Sequence, residues 1–337
     1  MDIACKVKEQ RRPMPQAIVL NELGGPEKLV TADVPHTKPA RDELLIRHDA
    51  IGVNYIDTYF REGLYGTELP AIIGDQAVGS IVAMGKDVSG FAVGEQVAYT
   101  SVFGAYCAER CLSAAKVVKI PPGIEPAVIA ATLTRGLTAE YLLRRLHEVS
   151  PSDTIIIHAA AGGTGVILTQ WAKALGATII GTVGNESKFA LAQNNGCDHV
   201  LNHQDPDFIT RIQELTDGRL ADVVYDSIGK TTFETSIRCL KPRGLMVAYG
   251  NASGKPEALE VLDLARLGSL FLTRPIMSHY IGTRAELELS TRRYFEVLSN
   301  GTVTPPTQTH FALADAPNAH RHLEDRSKLS VPVLVPA

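Results

Sequence analysis

The sequence predicts a two-domain α/β protein, in which a β-rich domain is joined to a domain built on a doubly wound parallel sheet. Two observations carry this prediction. The 337 residues correspond to about two domains at roughly 150 residues each. From residue 154 to residue 273, short apolar strands alternate with helices of about ten residues, which indicates βαβ units and a parallel sheet.

The first part of the chain is rich in β-branched residues and is broken by glycine and proline. Residues 1–15 are predicted to form a flexible tail. The strands that follow are predicted at 17–20, 43–49, 79–84 and 96–99. One helix is predicted to begin near Pro126 and to run through Thr132, and another to cover 138–146.

The second part repeats a strand and a helix in alternation. Its strands are predicted at 154–158, 178–183, 199–201, 221–226, 245–249 and 269–273, and its helices at 164–175, 186–194, 207–216 and 231–240. The elements that come last in the chain are too few for a further domain, so we expect them to complete the first one; they are helices at 285–298 and 314–323 and a strand at 331–335. The predicted domains are therefore 16–134 with 280–337, and 135–279.

Composition and charge are those of an ordinary globular chain, with 45% hydrophobic and 21% charged residues. Lys and Arg number 33 against 37 Asp and Glu, and the net charge of −4 gives no general reason to bind nucleic acid or an anionic membrane. Five scattered cysteines suggest no disulfide framework and favour a reducing, cytoplasmic setting. We expect neither a secretory signal nor a transmembrane segment, because the N-terminal residues lack an apolar stretch and glycines interrupt the charge-free stretch 154–172.

The most informative motif lies where the first strand of the second domain meets its first helix, at His158-Ala-Ala-Ala-Gly-Gly-Thr-Gly-Val166. Ala160, Gly162 and Gly165 have the spacing of G-x-G-x-x-G, with alanine in the first position. Such a turn lets the backbone approach a pyrophosphate, which the free N–H groups and the positive dipole end of the helix then bind. The strand before it and the helix after it are the context that the motif requires, so we expect a dinucleotide cofactor.

The end of the second strand of this domain predicts which nicotinamide cofactor binds. An acidic residue at this place usually holds the ribose 2′-hydroxyl of NADH. Here the strand ends Gly181-Thr-Val-Gly184 without a carboxylate, and Lys188 follows. A cation suits a 2′-phosphate, although Glu186 argues the other way and Lys188 can also be read as a solvated surface residue. We expect a preference for NADPH.

These segments resemble the NADPH:quinone oxidoreductases, the zinc-free, ζ-crystallin-like branch of the medium-chain dehydrogenases and reductases. The resemblance runs from about Gln16 to Pro336. It rests on 158–177, 179–184, GVNYIDTYFREGLY (52–65), VVYDSIG (223–229), RGLMVAYGNASG (243–254) and LTRP (272–275). It implies a GroES-like catalytic domain built from both chain ends, a Rossmann domain between them, NADPH as cofactor, quinones as substrates and a homodimer.

The resemblance also implies roles for individual residues. Asn54, Tyr59 and Tyr65 match the stretch beside the nicotinamide, where they would bind and polarise the substrate; the tyrosines can also be read as packing residues. The other matches concern the cofactor: Tyr141; Ala161, Gly162, Gly163, Thr164 and Gly165 of the glycine-rich turn; Gly184, Ser187 and Lys188 at the 2′-phosphate; His203; Ser227; Gly250, Asn251 and Ala252; and Thr273, Arg274 and Arg326.

Two positions depart from the family pattern. Gln76 stands where relatives more often have glutamate, which removes a charge near the floor of the cleft. His203 stands where relatives often carry tyrosine. It could lie beside the adenine or pair with phosphate, which would make binding sensitive to pH, or it could be an ordinary surface histidine.

The residues also predict a reaction without metal. Asn54 and Gly74-Asp-Gln76 occupy the places in which zinc alcohol dehydrogenases, by the same resemblance, carry a metal-binding cysteine and a Gly-His-Glu stretch. Cys107 and Cys111 have no third or fourth cysteine nearby, so we interpret them as packed apolar groups and expect no zinc. A quinone is already electrophilic and needs mainly orientation for hydride transfer, with hydrogen-bond donors at the oxygen that gains charge.

Two other functions stay open. An NADPH-dependent 2-alkenal or enone reductase would use the same site and deliver hydride to a β-carbon. Proteins like ζ-crystallin can instead serve as lens structural proteins or bind AU-rich RNA. For RNA binding the chain offers a small basic tail, Lys6, Lys8, Arg11 and Arg12, without an aromatic and basic platform, so a nucleic-acid partner is not expected.

The sequence further predicts how copies of the chain associate. The apolar strand near 270–273 is expected to lie at an edge of the parallel sheet. An uncovered apolar edge invites pairing with its own copy across a two-fold axis, so we expect a homodimer.

Overall fold

The computed structural model describes residues 13–337, so most of the predicted tail, 1–12, lies outside the described residues. The strands are β1 Gln16–Leu20, β2 Leu29–Asp33, β3 Glu43–Gly52, β4 Ala71–Ile72, β5 Gln76–Met84, β6 Gln96–Tyr99, β7 Glu109–Ser113, β8 Val118–Lys119, β9 Thr154–Ile157, β10 Thr178–Val183, β11 His199–Asn202, β12 Ala221–Asp226, β13 Leu240–Ala248, β14 Phe271–Thr273, β15 Gln308–Ala312 and β16 Val331–Val335. The α-helices are α1 Tyr55–Glu62, α2 Pro126–Tyr141, α3 Gly163–Ala174, α4 Phe189–Asn194, α5 Phe208–Leu215, α6 Phe233–Arg238, α7 Val261–Arg266, α8 Arg284–Ser299 and α9 Ala316–Glu324.

The β-rich part contains strands from both ends of the described chain. Its seven-stranded sheet runs β15-β16-β3-β5-β6-β8, and β7 pairs with the first half of β3. The last strand, β16, is antiparallel to β3, with Leu334 opposite Ile51. A three-stranded sheet, β2-β1-β4, shares its apolar core, because Ile18 of β1 packs in the same cluster as Ile46 and Tyr99. The C-terminal segment is thus hydrogen-bonded into the first part of the fold.

The middle of the chain forms a six-stranded parallel sheet. Its order, β11-β10-β9-β12-β13-β14, is the doubly wound order that the alternating pattern predicts. Ile155, Ile156 and Ile157 of β9 are fully buried. Ile155 and Ile157 belong to the core on the side of α3, whereas Ile156 belongs to the core on the side of α5 and α6. Burial on both faces explains why the strand is apolar throughout.

A single helix, α2, replaces the two helices predicted at 126–132 and 138–146. It runs unbroken to Tyr141 and continues as a π-helical turn over Leu142–Leu146. The prediction failed at Gly136, which weakens a helix but is required here because an added Cβ would collide with the ring of Tyr294. The predicted domain boundary at residue 135 falls inside α2, which contacts β3, β5 and β16 as well as α3 and α8.

A second difference lies between β12 and β13. The helix predicted over 231–240 is shorter, Phe233–Arg238, and the strand predicted over 245–249 begins earlier, at Leu240. The polar run Lys241-Pro242-Arg243 resembles a turn in sequence. It is accommodated in the strand by a shift of register between Ala221 and Val223, and Arg243 has a left-handed φ of 62°.

Within residues 13–337, no helix has the length and apolar character needed to cross a membrane.

Strand β3 carries a buried histidine whose protonation state is fixed by its neighbours. Nδ1 of His48 lies 2.7 Å from the Cys107 carbonyl, which only accepts, so Nδ1 carries the proton. Nε2 lies 3.0 Å from the Tyr99 hydroxyl and accepts from it. Burial lowers the pKa of His48 from its ordinary 6.5 to about 4, so the ring is neutral in the folded protein.

Acidification should therefore weaken the fold through His48. Because the folded pKa lies below the unfolded one, the stability from the neutral ring is present above the unfolded pKa and is lost as the pH falls towards the folded value. We expect the wild type to lose about 2 kcal/mol more free energy of unfolding than His48→Gln between about pH 7 and pH 5, measured by urea denaturation. Parallel pH dependences for the two proteins would contradict this assignment.

Candidate active site

The carboxyl ends of the parallel strands meet along one edge of the six-stranded sheet, and the predicted cofactor residues follow them. Gly184 comes directly after β10, Ser227 after β12, Gly250 two residues after β13, and Arg274 after β14. The strand order reverses between β9 and β12. Ligands of doubly wound sheets bind in the crevice that such a reversal opens, so this edge is the candidate site.

The turn from β9 into α3 presents free backbone N–H groups. Ala159 bends the chain with a left-handed φ of 52°, and the Gly162 N–H donates to its carbonyl (2.8 Å). A Cβ at Gly165 would collide with the Ala159 carbonyl, so glycine is needed for the helix to pack this close. Ala161 is buried in the turn. Since α3 begins at Gly163, the N–H groups of 163–165 have no acceptor within the helix.

A buried arginine lies next to this turn. An added Cβ at Gly163 would come 2.7 Å from Nε of Arg135, and Nη2 of Arg135 donates to the Val53 carbonyl (2.9 Å). Burial lowers the pKa of Arg135 to about 10, which still leaves it charged at neutral pH. The sequence analysis missed this residue. The available signal was a single charge in the apolar run 128–137.

A basic cluster, defined by Lys188, His203 and Arg326, lies where β10 ends. Burial lowers the pKa of Lys188 and of His203, and the positive charge of Arg326 lowers both further, so the three side chains are within electrostatic reach of one another. Among residues 13–337, neither Lys188 nor Arg326 forms an ion pair. The carboxylates of Asp325 and Asp226 act on Lys188 and His203 respectively, but within the described chain neither Lys188 nor Arg326 has a carboxylate in ion-pair contact, which favours an anionic ligand.

The backbone at the end of β10 holds the histidine of this cluster. An added Cβ at Gly184 would come 2.9 Å from Cε1 of His203, so the ring lies directly against that glycine. Nδ1 of His203 is 3.1 Å from the Val183 carbonyl, which assigns the proton to Nδ1 and leaves Nε2 as the acceptor of the neutral ring. The Ser187 N–H donates to Oδ1 of Asn185 (3.0 Å), which closes the short turn that leads to Lys188.

At the other end of the sheet edge, α1 and the turn after it bring two tyrosines, Tyr59 and Tyr65, to the loops after β13 and β14. The Asn251 N–H donates to the Tyr59 hydroxyl (2.9 Å), and Nη2 of Arg274 donates to the Tyr65 hydroxyl (2.9 Å). The two tyrosine rings meet edge to face, with centroids 5.3 Å apart. Burial raises the pKa of Tyr59 to about 12, so its hydroxyl keeps a proton that it can donate.

The remaining predicted residues of these loops shape the backbone. An added Cβ at Gly250 would collide with the backbone of Ser227, and the Ala252 N–H donates to the Ser227 carbonyl (3.2 Å). Ala252 itself is exposed, and Thr273 ends β14 opposite Val247. The loops after β12 and β13 are therefore packed together.

Asn54 stands immediately before α1 and contributes an unpaired donor. Its backbone N–H donates to Oδ2 of Asp57 (2.8 Å), whereas its side-chain Nδ2 is buried and has no hydrogen-bond partner within the described residues. A buried donor without a partner costs about 1–3 kcal/mol. A ligand oxygen at this position would satisfy it. Arg135 links the carbonyl of Val53, the residue before Asn54, to the start of α3 at Gly163.

The carboxyl group nearest to Asn54 is mostly uncharged. Burial, and then the carboxylate of Asp75, raise the pKa of Asp57 to about 8. Oδ2 of Asp57 accepts from the Tyr106 hydroxyl (3.0 Å). Protonation of Asp57 at neutral pH keeps negative charge away from the donor on Asn54.

Tyr141 is buried in a stack that the sequence analysis did not foresee. Its ring lies parallel to that of Tyr280, with centroids 4.4 Å apart, and Arg145 lies 5.4 Å from the centroid of Tyr280. Burial raises the pKa of Tyr141, and the charges of Tyr249 and Arg274 also act on it, which places its hydroxyl near the loops after β13 and β14. No local pattern in the sequence marks Tyr280 as its partner.

Gln76 joins β5 to α2. Its Nε2 donates to the Ala130 carbonyl, and its Oε1 accepts from the Thr134 N–H (2.7 Å). Asp75 beside it accepts from the hydroxyls of Thr100 (3.2 Å) and Thr134 (3.3 Å). An amide supplies both a donor and an acceptor, which an ionised glutamate does not. This is a structural reason for the departure from the family pattern.

In residues 13–337, no three His, Cys, Asp or Glu side chains are grouped in a way that could hold a metal ion. Cys107 and Cys111 form separate hydrogen bonds, to the Gly104 carbonyl (3.5 Å) and to the Thr37 hydroxyl (3.3 Å). That the reaction proceeds without zinc stays a prediction from the sequence.

Known proteins resemble this chain over almost its whole length. Family models match as an alcohol dehydrogenase GroES-like domain over residues 40–154 and a zinc-binding dehydrogenase over residues 163–291. A quinone oxidoreductase of Pseudomonas aeruginosa is 41% identical over 325 residues, which cover 96% of this chain and 100% of the relative. A 2-haloacrylate reductase of a Burkholderia species is 39% identical, with 96% and 99% covered.

A solved structure is also similar to this chain over almost its whole length. The quinone oxidoreductase of Escherichia coli, crystallised in complex with NADPH, aligns with a TM-score of 0.92 and 38% identity, covering 95% of this chain and 100% of that one. The predicted α/β fold class, with GroES-like and Rossmann parts, is confirmed. The chain belongs to the quinone oxidoreductase family of the medium-chain dehydrogenases and reductases.

Proposed function

We propose that this protein reduces quinones with NADPH by hydride transfer, without a metal ion. One observation carries the proposal: the buried side-chain Nδ2 of Asn54 has no hydrogen-bond partner within the described residues, and Asn54 directly precedes α1, whose Tyr59 is hydrogen-bonded to the loop after β13. A polar donor is thereby available next to the helix that carries Tyr59, on the side of the loops where we expect the nicotinamide and the substrate to meet. Relatives of about 40% identity that are named quinone oxidoreductases support the same activity.

The residues present fit a dinucleotide that carries a 2′-phosphate. The N–H groups of 163–165, with Arg135 next to them, suit the two charges of a pyrophosphate. Lys188 and Arg326 of the basic cluster suit the further charge of the 2′-phosphate, and the neutral ring of His203 lies beside them. Tyr141 and Asn251 would border the nicotinamide end. When bound, NADPH supplies the hydride.

The chain's own residues orient the quinone and stabilise charge on it. Asn54 donates to the oxygen that becomes negative as hydride arrives, and the Tyr59 hydroxyl, held by the Asn251 N–H, offers a second proton donor. The guanidinium of Arg274, fixed on Tyr65, adds positive charge at the same loops. One proton from solvent then completes the hydroquinone.

Reduction of activated alkenes is a second candidate function. The observation that favours it is the 39% identity to a 2-haloacrylate reductase over nearly the whole chain. The same donors would then polarise the carbonyl or carboxylate conjugated to the double bond, and hydride would reach the β-carbon. The two functions differ only in the substrate atom that accepts hydride.

We also propose a homodimer formed by pairing of β14 with its copy. β14 is the last strand of the parallel sheet, and Phe271 and Leu272 on its two faces are both exposed. Val261 and Leu262 of α7 and Ile276 after β14 are exposed as well. An edge strand with uncovered apolar side chains is stabilised by a partner strand.

A cytoplasmic location fits these proposals. The described chain has four free cysteines, three of them buried. A reducing compartment keeps such thiols unoxidised, and NADPH is used there as a reductant.

The substrate class can be tested by loss of NADPH absorbance with para-benzoquinone, a bulky ortho-quinone, a 2-alkenone and 2-haloacrylate. We expect kcat/KM for at least one quinone to exceed that for either alkene by about tenfold or more, because a quinone needs only orientation and charge stabilisation. A preference for an alkene would establish the second candidate instead. NADPH binding without turnover of any substrate would contradict both.

The role of Asn54 can be tested with Asn54→Asp. Aspartate still caps α1, but it replaces the Nδ2 donor by a carboxylate oxygen. We expect kcat to fall about a hundredfold, as for the loss of one donor to a developing oxyanion, with NADPH affinity by fluorescence titration unchanged. Asn54→Ser keeps a helix cap and a short hydroxyl donor, so its kcat should lie between those of the wild type and Asn54→Asp. Wild-type kcat in Asn54→Asp would refute the role.

The dimer can be tested by light scattering at micromolar concentration. Leu272→Glu places a charge on the edge strand and should yield a monomer. Val93→Glu, at an exposed valine in the turn between β5 and β6, is the matched control and should leave the mass unchanged. A monomeric wild type, or a dimeric Leu272→Glu, would show that β14 does not form the interface.

A further inference from the structure

Helix α1 is fastened to helix α9 by a fully buried arginine. The Arg61 side chain is 1% exposed. Its Nη1 lies 2.9 Å from Nδ1 of His320 and donates to Oε2 of Glu324 (3.1 Å), while its Nη2 donates to Oε1 of Glu324 (2.7 Å). His320 and Glu324 are one turn apart on α9, so the planar guanidinium binds two side chains on one face of the last turn of that helix.

The other end of α1 is attached to the same place. The Tyr55 hydroxyl, on the first residue of α1, donates to the Leu323 carbonyl near the end of α9 (3.1 Å). α1 follows directly on Asn54 and carries Tyr59, the two donors of the candidate active site. A displacement of the end of α9 would therefore move both donors together.

The end of α9 leads into the basic cluster. Arg326 follows Glu324 by two residues, and the segment between them is a tight turn. Oδ1 of Asp325 accepts from the Ser327 N–H (2.9 Å) and the Ser327 hydroxyl (2.7 Å), and its carbonyl accepts from the Lys328 N–H (3.0 Å). A ligand that fixes Arg326 would therefore act within two residues of Glu324, through an ordered turn.

Building on the proposed function, we infer that the Arg61–Glu324 ion pair transmits occupancy of the 2′-phosphate subsite to the catalytic helix. Arg61 and Glu324 are positioning residues in this sense. A 2′-phosphate on Arg326 holds the end of α9, and the ion pair then holds α1 with Asn54 and Tyr59 in the productive orientation. NADH has no 2′-phosphate to bind Arg326, so α1 is less well oriented even when the protein is saturated with NADH. Selection for NADPH should therefore appear in kcat as well as in KM, because small displacements of donors slow the chemical step.

The test compares NADPH with NADH in the wild type, Glu324→Gln, Arg326→Ala and the double variant, with kcat at saturation and cofactor affinity by fluorescence titration. We expect a wild-type kcat that is about five- to tenfold higher with NADPH, in the range of ordinary coupling between sites. In Glu324→Gln, kcat with NADPH should fall to the NADH value while NADPH affinity is retained. Arg326→Ala should lose both the higher kcat with NADPH and the tighter binding of NADPH. The double variant should have no lower kcat than either single variant.

The matched control is Glu62→Gln. Glu62 also contacts Nη2 of Arg61, but it belongs to α1 and not to α9, so its loss removes the same charge without opening the link. The ratio of kcat values for the two cofactors should stay at the wild-type level. An equal loss of kcat with both cofactors in Glu324→Gln, or a change in affinity alone, would show that the ion pair only stabilises the fold and would overturn the inference.

The wild type separates this inference from the proposed function. Equal saturating kcat values with tighter NADPH binding would overturn the coupling and leave the cofactor assignment intact. Equal affinity for NADPH and NADH would overturn the assignment of the 2′-phosphate subsite, and the coupling with it.

Discussion

The free N–H groups at the start of α3 are the feature on which the rest of the structure depends. They must remain without a protein acceptor if they are to bind phosphate, yet they lie where two parts of the chain pack together. Gly165 lets the backbone come close enough, and Arg135 fills the space behind Gly163 while bonding the strand end at Val53. The same arginine therefore adds positive charge beside this turn and ties the turn to the strand end that precedes Asn54. The proposed phosphate site and the proposed substrate donor are thus connected through one side chain.

Electrostatics divide the site into two unlike ends. In the part of the chain that the structure describes, Lys188 and Arg326 form no ion pair, although Asp325 acts on Lys188, and burial lowers the pKa of Lys188 and His203. Near α1 the chain instead removes negative charge: burial raises the pKa of Asp57 to about 8 and also raises that of Asp75, and Gln76 is neutral. In the proposed reaction, charge on a quinone oxygen develops at this second end, where a buried carboxylate would oppose it more strongly than in water. The arrangement suits an anionic cofactor and a neutral, electron-accepting substrate.

Much of this was predictable because its signals are local. Each parallel strand is a short apolar run followed by its own helix, so the doubly wound sheet and the loops at its carboxyl edge, such as Gly184 and Gly250, can be located from the sequence. α2 was divided wrongly because Gly136 weakens a helix locally and only Tyr294, far along the chain, explains it. Arg61 and His320 are 259 residues apart, and no periodicity relates them. Contacts of this kind hold the site together, and propensity does not report them.

The C-terminal segment links the two halves of the site. β16 completes the first sheet by pairing with β3, and the same return brings α9 against α1 and Arg326 to the end of β10. In the proposed function, recognition of the 2′-phosphate is then not a property of the parallel sheet alone, since Arg326 of the basic cluster comes from a segment anchored in the other sheet. Under the inferred coupling, the cofactor end and the helix that carries Tyr59 move together, because the same C-terminal segment contacts both.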